Sequence, residues 1–241
     1  MTEAVFRTDA YARECAATVV SADEAGIRLD RTVFYLTGGG QPGDTGELRL
    51  ADDMTIRIAG TAKGDQGPED VLHLPQEGAT LPAPGTPVTA VIDWERRYSL
   101  MRTHTALHLL CAMVPHAVTG GSVGEGRGRL DFDMAENTLD KKRLAEEINA
   151  VIAADLPVSV GWITDAELDA DPDLVRTMSV QPPRGGGRIR TVRIGAPDGD
   201  AVDYQPCGGT HVARTGEIGE IGIGKIEKKG RQNRRINLSL K

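Results

Sequence analysis

Cysteine is scarce in this chain of 241 residues: Cys15, Cys111 and Cys207 are the full set. An odd count at such wide spacing builds no disulfide framework and predicts no disulfide-linked partner. Aromatic residues make up only 4% of the sequence, so any core must be mostly aliphatic. No apolar run approaches the length that spans a bilayer. The opening MTEAVFRTDAYARECAA carries Glu3, Asp9 and Glu14 and has no apolar stretch of the signal-peptide kind. Positive charge is not in excess either, for the formal net charge is −7. That balance excludes a protein that coats nucleic acid nonspecifically, while leaving room for a local basic face. Together these absences predict a cytoplasmic protein with no membrane partner. What is present, 39% hydrophobic and 26% charged residues, is ordinary for a soluble chain and sufficient for one large domain or two small ones.

Residues 1–92 are rich in short β-like runs and Gly/Pro turns. ATVVSADEAGIRLDRTVFYL reads as two strands around a turn near Gly26, TGGGQPGDTGEL as a glycine-dense loop, and MTIRIAGTAKG as a half-buried strand. LPQEGATLPAPGTPVTAVI, punctuated by prolines 75, 82, 84 and 87, reads as a loop leading into a strand that ends near Ile92. A small barrel-like β unit is the simplest reading.

The pattern changes at Asp93. DWERRYSLMRTHTALHLLCAMV runs as one helix with Asp93 as N-cap and ends before Pro115. Leu100, Thr103, Leu107 and Leu110 share one stripe, and His104, His108 and Cys111 lie on an adjoining one. A Gly-rich turn, the strand GRLDFDM and a second helix over 137–156 follow, the helix with Leu144, Ile148, Val151 and Ile152 as its apolar side. PVSVGWIT is a strand, and ITDAELDADPDLVRTM holds a short helix after a capping Thr or Asp. RIRTVRIG, AVDYQPCGGTHV and the tail EIGEIGIGKIEKKGRQNRRINLSL are strand-like. The expected fold is α+β: an N-terminal β-barrel-like domain, residues 1–92, followed at 93–241 by helices packed on an antiparallel sheet.

Two short motifs carry chemistry. His104 and His108, four apart on a helix, can aim both imidazoles at one ion. A hundred residues later comes Cys207-Gly208-Gly209-Thr210-His211, in which the glycines let the chain turn so that thiolate and imidazole face one way. Zinc takes nitrogen and thiolate donors in a tetrahedron, so each motif is half of a site. Taken singly, the histidine pair reads more readily as two partly buried side chains than as a metal site, and Cys207 as a small hydrophobe. His73 and His116 have no partner at ligand spacing, and Cys111 reads as core. The helix is not that of a zinc peptidase, because no glutamate follows His104.

The run from Asp93-Trp94-Glu95-Arg96-Arg97 through Met101-Arg102-Thr103-His104-Thr105-Ala106-Leu107-His108, then Gly121-Ser122-Val123, Arg129-Leu130-Asp131-Phe132 and Asp203…Cys207-Gly208-Gly209-Thr210-His211, resembles the editing domain of alanyl-tRNA synthetase. Freestanding forms are the AlaX-type trans-editing proteins, and Gly38-Gly39-Gly40-Gln41-Pro42-Gly43-Asp44-Thr45-Gly46 matches the glycine-rich motif of their medium-length members. The resemblance is collinear over most of the chain. It implies an ester hydrolase that removes serine, and in some members glycine, from mischarged tRNA for alanine. It implies a zinc cofactor at a catalytic centre of His104, His108, Cys207 and His211. Where the family often has Gln-x-Gly-Ser this chain has Thr119-Gly120-Gly121-Ser122, so Ser122 matches and Thr119 departs. A pocket that accepts serine must hydrogen-bond its extra hydroxyl. Thr105, Thr119 and Ser122 are candidates for that contact, and Gln41 is the loop side chain to watch. Kinship with a synthetase also brings an association with nucleotide and ATP binding, although no GK[ST] follows the glycine loop.

The tail 225–235 holds six basic residues and one acid. Lys228, Lys229, Arg231, Arg234 and Arg235 are candidate tRNA-backbone contacts, with Arg184, Arg188, Arg190 and Arg193 as a second cluster. Two other readings stand beside the alanine editor: an editing hydrolase for threonine tRNA, with the same His and Cys/His layout, and a noncatalytic zinc-stabilised RNA-binding module.

Overall fold

Alternation builds the first unit. The unit is made of β2 (Glu14–Asp23), β3 (Gly26–Leu29), β5 (Gly46–Arg49), β6 (Thr55–Lys63), β7 (Val71–Pro75) and β8 (Pro87–Ile92); in β6 and β8 the buried Ile56 and Ile58, and Val88, Ala90 and Ile92, recur at every second position. That period of two turns one face of these two strands inward. In the computed structural model, which describes residues 2–51, 54–67, 69–136, 139–178 and 187–241, these six close into a barrel in the order β2-β3-β7-β6-β5-β8. Val19, Ile27, Leu29, Leu48, Ile58 and Ala90 fill it with Phe34. Gly46 leaves room for closure: a Cβ there would meet the Val91 carbonyl and the Phe34 ring. A two-residue parallel pair, β1 (Glu3–Ala4) with β4 (Arg31–Thr32), lies outside the barrel. The strand β7 was not expected, because five residues that include a histidine and a proline give little alternation to read.

The chain divides into two compact units, Met1–Tyr98 and Ser99–Lys241. The helix α1 (Trp94–Met113) gives its first turn to one and the rest to the other. Asp93 caps it, accepting the Arg96 backbone N–H at 3.3 Å. From Thr103 to Cys111 every residue is buried, so its middle is enclosed on all sides instead of presenting the single stripe that the spacing suggests.

In the second unit β9 (Val118–Gly124), β10 (Arg127–Asp133), β14 (Ile221–Lys228) and β15 (Asn233–Leu240) form an antiparallel sheet in the order β14-β15-β10-β9. The segment VTGGSVG, expected as a Gly-rich turn, is therefore a strand. Pairing along β10, Ser122 opposite Arg129 and Gly121 opposite Leu130, overrides the low strand preference of glycine. Helix α2 (Lys141–Ala153) is shorter than expected, since Asp140 starts it by accepting from the Lys142 and Arg143 backbone N–H groups; residues 137 and 138 of the expected helix lie outside the described residues. Its buried Leu144, Ile148 and Ile152 recur every four residues. Asn149 exchanges two hydrogen bonds with the Ile221 backbone, fixing α2 on β14. A second antiparallel sheet joins β11 (Val158–Ile163), β12 (Ile189–Ile194) and β13 (Asp203–Pro206). Thr164 caps the short α3 (Asp165–Ala170) in a reciprocal box with Glu167. No helix among the described residues is long and apolar enough to cross a membrane.

Candidate metal centre

One turn of α1 separates His104 from His108, and their ring centroids lie 5.3 Å apart. β13 ends at Pro206, and the chain then carries Cys207 and His211 to the same place. The His211 ring stands 4.4 Å from that of His104 and 4.7 Å from that of His108. Cys207 Sγ lies 3.7 Å from His104 Nε2 and 3.3 Å from His211 Nε2, and one donor atom from each of the four residues lies within 4.8 Å of the rest. Zinc at ordinary bond lengths sets tetrahedral donors roughly 3.3–3.7 Å apart. The side chains thus converge at close to the spacing that one ion requires. The three histidines are buried and Cys207 is half-buried.

The electrostatics suit metal donors. Burial alone would push the Cys207 thiol up, but the His104, His211 and His108 imidazoles outweigh it and hold the thiol well below its ordinary value. The Gly209 backbone N–H also points at the sulfur, 3.4 Å away. His211 is pushed down to about 3 by burial and by the neighbouring charge of His104, which leaves it a neutral donor. Burial disfavours charge on His108, yet the Cys207 thiolate and the Asp203 carboxylate lift it well above its ordinary value.

Behind the donors stands a supporting layer. His108 Nδ1 is 2.7 Å from Asp203 Oδ2, and the Gln205 amide donates to both oxygens of Asp203 at 3.0 and 2.9 Å. Thr105 is fully buried: its hydroxyl donates to the Met101 carbonyl at 2.9 Å, meets His211 Nδ1 at 3.1 Å and accepts the Val212 N–H at 3.3 Å. Arg190 is buried and donates to the carbonyls of Cys207 and Gly209, both at 2.8 Å, while the Cys207 N–H returns to the Arg190 carbonyl at 3.0 Å. Sequence reasoning assigned no role to Asp203, Gln205 or this use of Arg190. A signal existed for the first two: Asp203, Gln205 and Cys207 alternate, so an extended chain puts all three on one face.

The other expected residues are scattered. Thr105, expected at a substrate hydroxyl, has its donor and both acceptor positions taken by the protein, so it stands behind His211 instead. Thr119 directs its hydroxyl within the sheet, to the Asp131 carbonyl at 3.1 Å and Asn233 Oδ1 at 2.8 Å. Ser122 is exposed and lines a groove of about 480 Å³ with Arg127, Arg129, Asn237 and Ser239. Gln41 belongs to the barrel unit and is buried; Gly38 and Gln41 exchange backbone hydrogen bonds around Gly39 and Gly40, whose φ values of 56° and 83° suit a tight turn.

Of the basic residues, Lys228, Lys229 and Arg231 are exposed, with Lys229 also 3.0 Å from Glu227. Arg234 and Arg235 do not present free charge as expected. Arg234 is buried on the carbonyls of Asn233 and Ala135, and Arg235 makes a bidentate pair with Asp131 at 2.7 and 2.8 Å, because β15 runs with Arg235 opposite Asp131. In the second cluster Arg190 is spent on the Cys207 loop, and Arg193 bonds the Ala196 and Gly199 carbonyls. Arg188 is exposed, and Arg184 lies outside the described residues.

Comparison with known proteins gives the family. Residues 189–237 match the family model described as the threonyl and alanyl tRNA synthetase second additional domain. The chain is 34% identical to an alanyl-tRNA editing protein AlaX-M of Methanosarcina mazei, over 100% of this chain and 97% of that one. It is 32% identical to an AlaX-M of Saccharolobus solfataricus over the full length of both. An alanine–tRNA ligase of Pyrobaculum calidifontis matches at 35%, over 94% of this chain and 25% of the ligase. The association with ATP binding gains no support, since the family match falls on an additional domain of the synthetases.

Proposed function

From the premise that the chain belongs to the family of AlaX-type alanyl-tRNA editing proteins, we propose that it is a zinc-dependent hydrolase acting in trans on mischarged tRNA for alanine. The ester of a wrong amino acid, serine and secondarily glycine, is cleaved by water to the free amino acid and the intact tRNA. The observation that carries this reading is the convergence of His104, His108, Cys207 and His211, from two distant motifs, on one point.

In this reading those four residues hold the ion and the helices and sheet from 93 to 241 form the editing domain. When bound, zinc supplies a Lewis acid that polarises a carbonyl or acidifies water. The chain's own residues do the rest. The Cys207 sulfur and the rings of His104, His108 and His211 converge on one point, Thr105 keeps His211 turned toward the site, and Arg190 fixes the loop that bears the sulfur. Ser122 is the remaining candidate within this unit for the substrate's hydroxyl. Lys228, Lys229 and Arg231 offer exposed cations to the tRNA backbone, as phosphate contacts require. The protein then works in the cytoplasm, where its substrate is made.

One observation favours a second reading. Four protein donors complete a tetrahedron, as in closed structural sites, which suits a zinc-stabilised RNA-binding module without catalysis. A single assay separates the two. Purified zinc-loaded protein is given seryl-, glycyl- and alanyl-tRNA for alanine. Release of serine with alanine spared supports the hydrolase; seryl-tRNA left intact overturns it.

A further inference from the structure

Two of the histidines, His108 and His211, meet chemically different partners. His211 meets a neutral hydroxyl, that of Thr105, whereas His108 meets a carboxylate, that of Asp203. A hydroxyl suffices to orient a ring. The carboxylate brings something more, a full negative charge with no exposed side-chain surface. Among the described residues its ion-pair partner is His108, and both its oxygens accept from Gln205. Such a charge is costly to bury without compensation. A zinc ion held by the four donors would supply that compensation alongside the bond to His108: two positive charges on zinc, less one for the thiolate of Cys207, would leave one over for Asp203 to cancel.

We propose that Asp203, held by Gln205, is a positioning residue of the metal centre that turns His108 Nε2 inward and supplies the counter-charge that a zinc ion with a single thiolate lacks. The proposal rests on the reading of the site as a zinc centre given above, though not on what that centre does to a substrate. His108 must carry its proton on Nδ1 to bond Asp203, which leaves Nε2 as the donor facing the cluster. Gln205 donates to both oxygens of Asp203 and so holds the carboxylate in place against His108. Removing the charge but not the shape therefore weakens the hold on zinc without reshaping the site.

The test is a competition titration of metal-free protein with zinc against a chromophoric chelator, with cobalt(II) as a spectroscopic stand-in. Asp203→Asn keeps an acceptor for His108 and deletes the charge. Zinc affinity should fall about 10- to 100-fold, while the cobalt form keeps its tetrahedral visible bands. Asp70→Asn, which removes a buried carboxylate in the barrel unit, should leave the affinity unchanged. An Asp203→Asn protein that binds zinc within about threefold of the parent overturns the proposal. If that variant does not fold, Gln205→Leu leaves the carboxylate but strips its two donors, and unchanged affinity there overturns the proposal equally. Zinc held in an Asp203-dependent way by a protein inert toward seryl-tRNA would refute the hydrolase and leave this inference standing.

Discussion

Arg97→Met should cost the barrel unit about 3–5 kcal/mol, the usual loss when one partner of a buried ion pair is removed. Arg97 and Asp44 are both buried, with Arg97 Nε 3.0 Å from each Asp44 oxygen and Arg97 Nη2 closing the fork. The guanidinium also serves the Ala10 and Val33 carbonyls, at 3.0 and 2.7 Å. Methionine fills most of the volume but leaves the Asp44 carboxylate, among the described residues, with the Tyr35 N–H, 2.6 Å away, as its remaining donor, and takes the donor from two carbonyls. Asp44→Leu added to Arg97→Met should recover part of the loss, because no uncompensated charge then remains. Urea unfolding reads this out, in a Trp162→Phe background so that Trp94, in the barrel unit, is the sole indole. With slopes of about 1–3 kcal/mol per M, the midpoint should drop by at least about 1 M. A single variant within about 1 kcal/mol of the parent, or a double variant worse than the single, would refute the reasoning.

Cys207→Ala removes the anionic donor and should abolish both zinc retention and deacylation; full activity in the variant strikes Cys207 from the site. His73 concerns pH. It is fully buried, donates from Nδ1 to the Ile27 carbonyl at 2.9 Å and meets the Thr32 hydroxyl with Nε2 at 2.8 Å, and burial pushes it down to about 4. The unfolded chain then binds the extra proton first, so barrel stability should fall as pH drops from about 6.5 to about 4, by roughly 3 kcal/mol in all. Denaturation at stepped pH tests this, with His73→Gln expected to flatten the slope in that window. Replacing Lys228, Lys229 and Arg231 together with alanine should weaken RNA binding and lessen the salt slope by about 2–3, at roughly 0.9 per phosphate contact; an unchanged slope places the RNA elsewhere.

Periodicity made much of this legible. The helical spacing of His104 and His108 and the Cys207–His211 pentapeptide pointed to the four side chains that the fold brings together, and alternation in β6 revealed an inward face of the barrel. What stayed hidden depends on partners far along the chain. A lysine- and arginine-rich tail shows its charge in the sequence, but not that strand register sets Arg235 against Asp131. Local glycine content made VTGGSVG look like a turn, although its pairing is decided by β10. Thr105 looked available because a sequence does not show how many neighbours a hydroxyl already has.

The hold of Arg190 on Cys207 and Gly209 bears on protein engineering. The pentapeptide that bears the sulfur looks portable, five residues that could be spliced into any helical scaffold to complete a histidine pair. Its shape is nonetheless borrowed from a guanidinium on the neighbouring strand β12, 17 residues upstream. A transplant that omits that strand would deliver the right atoms on a backbone free to wander, so the smallest unit worth moving is the β12–β13 hairpin with its loop.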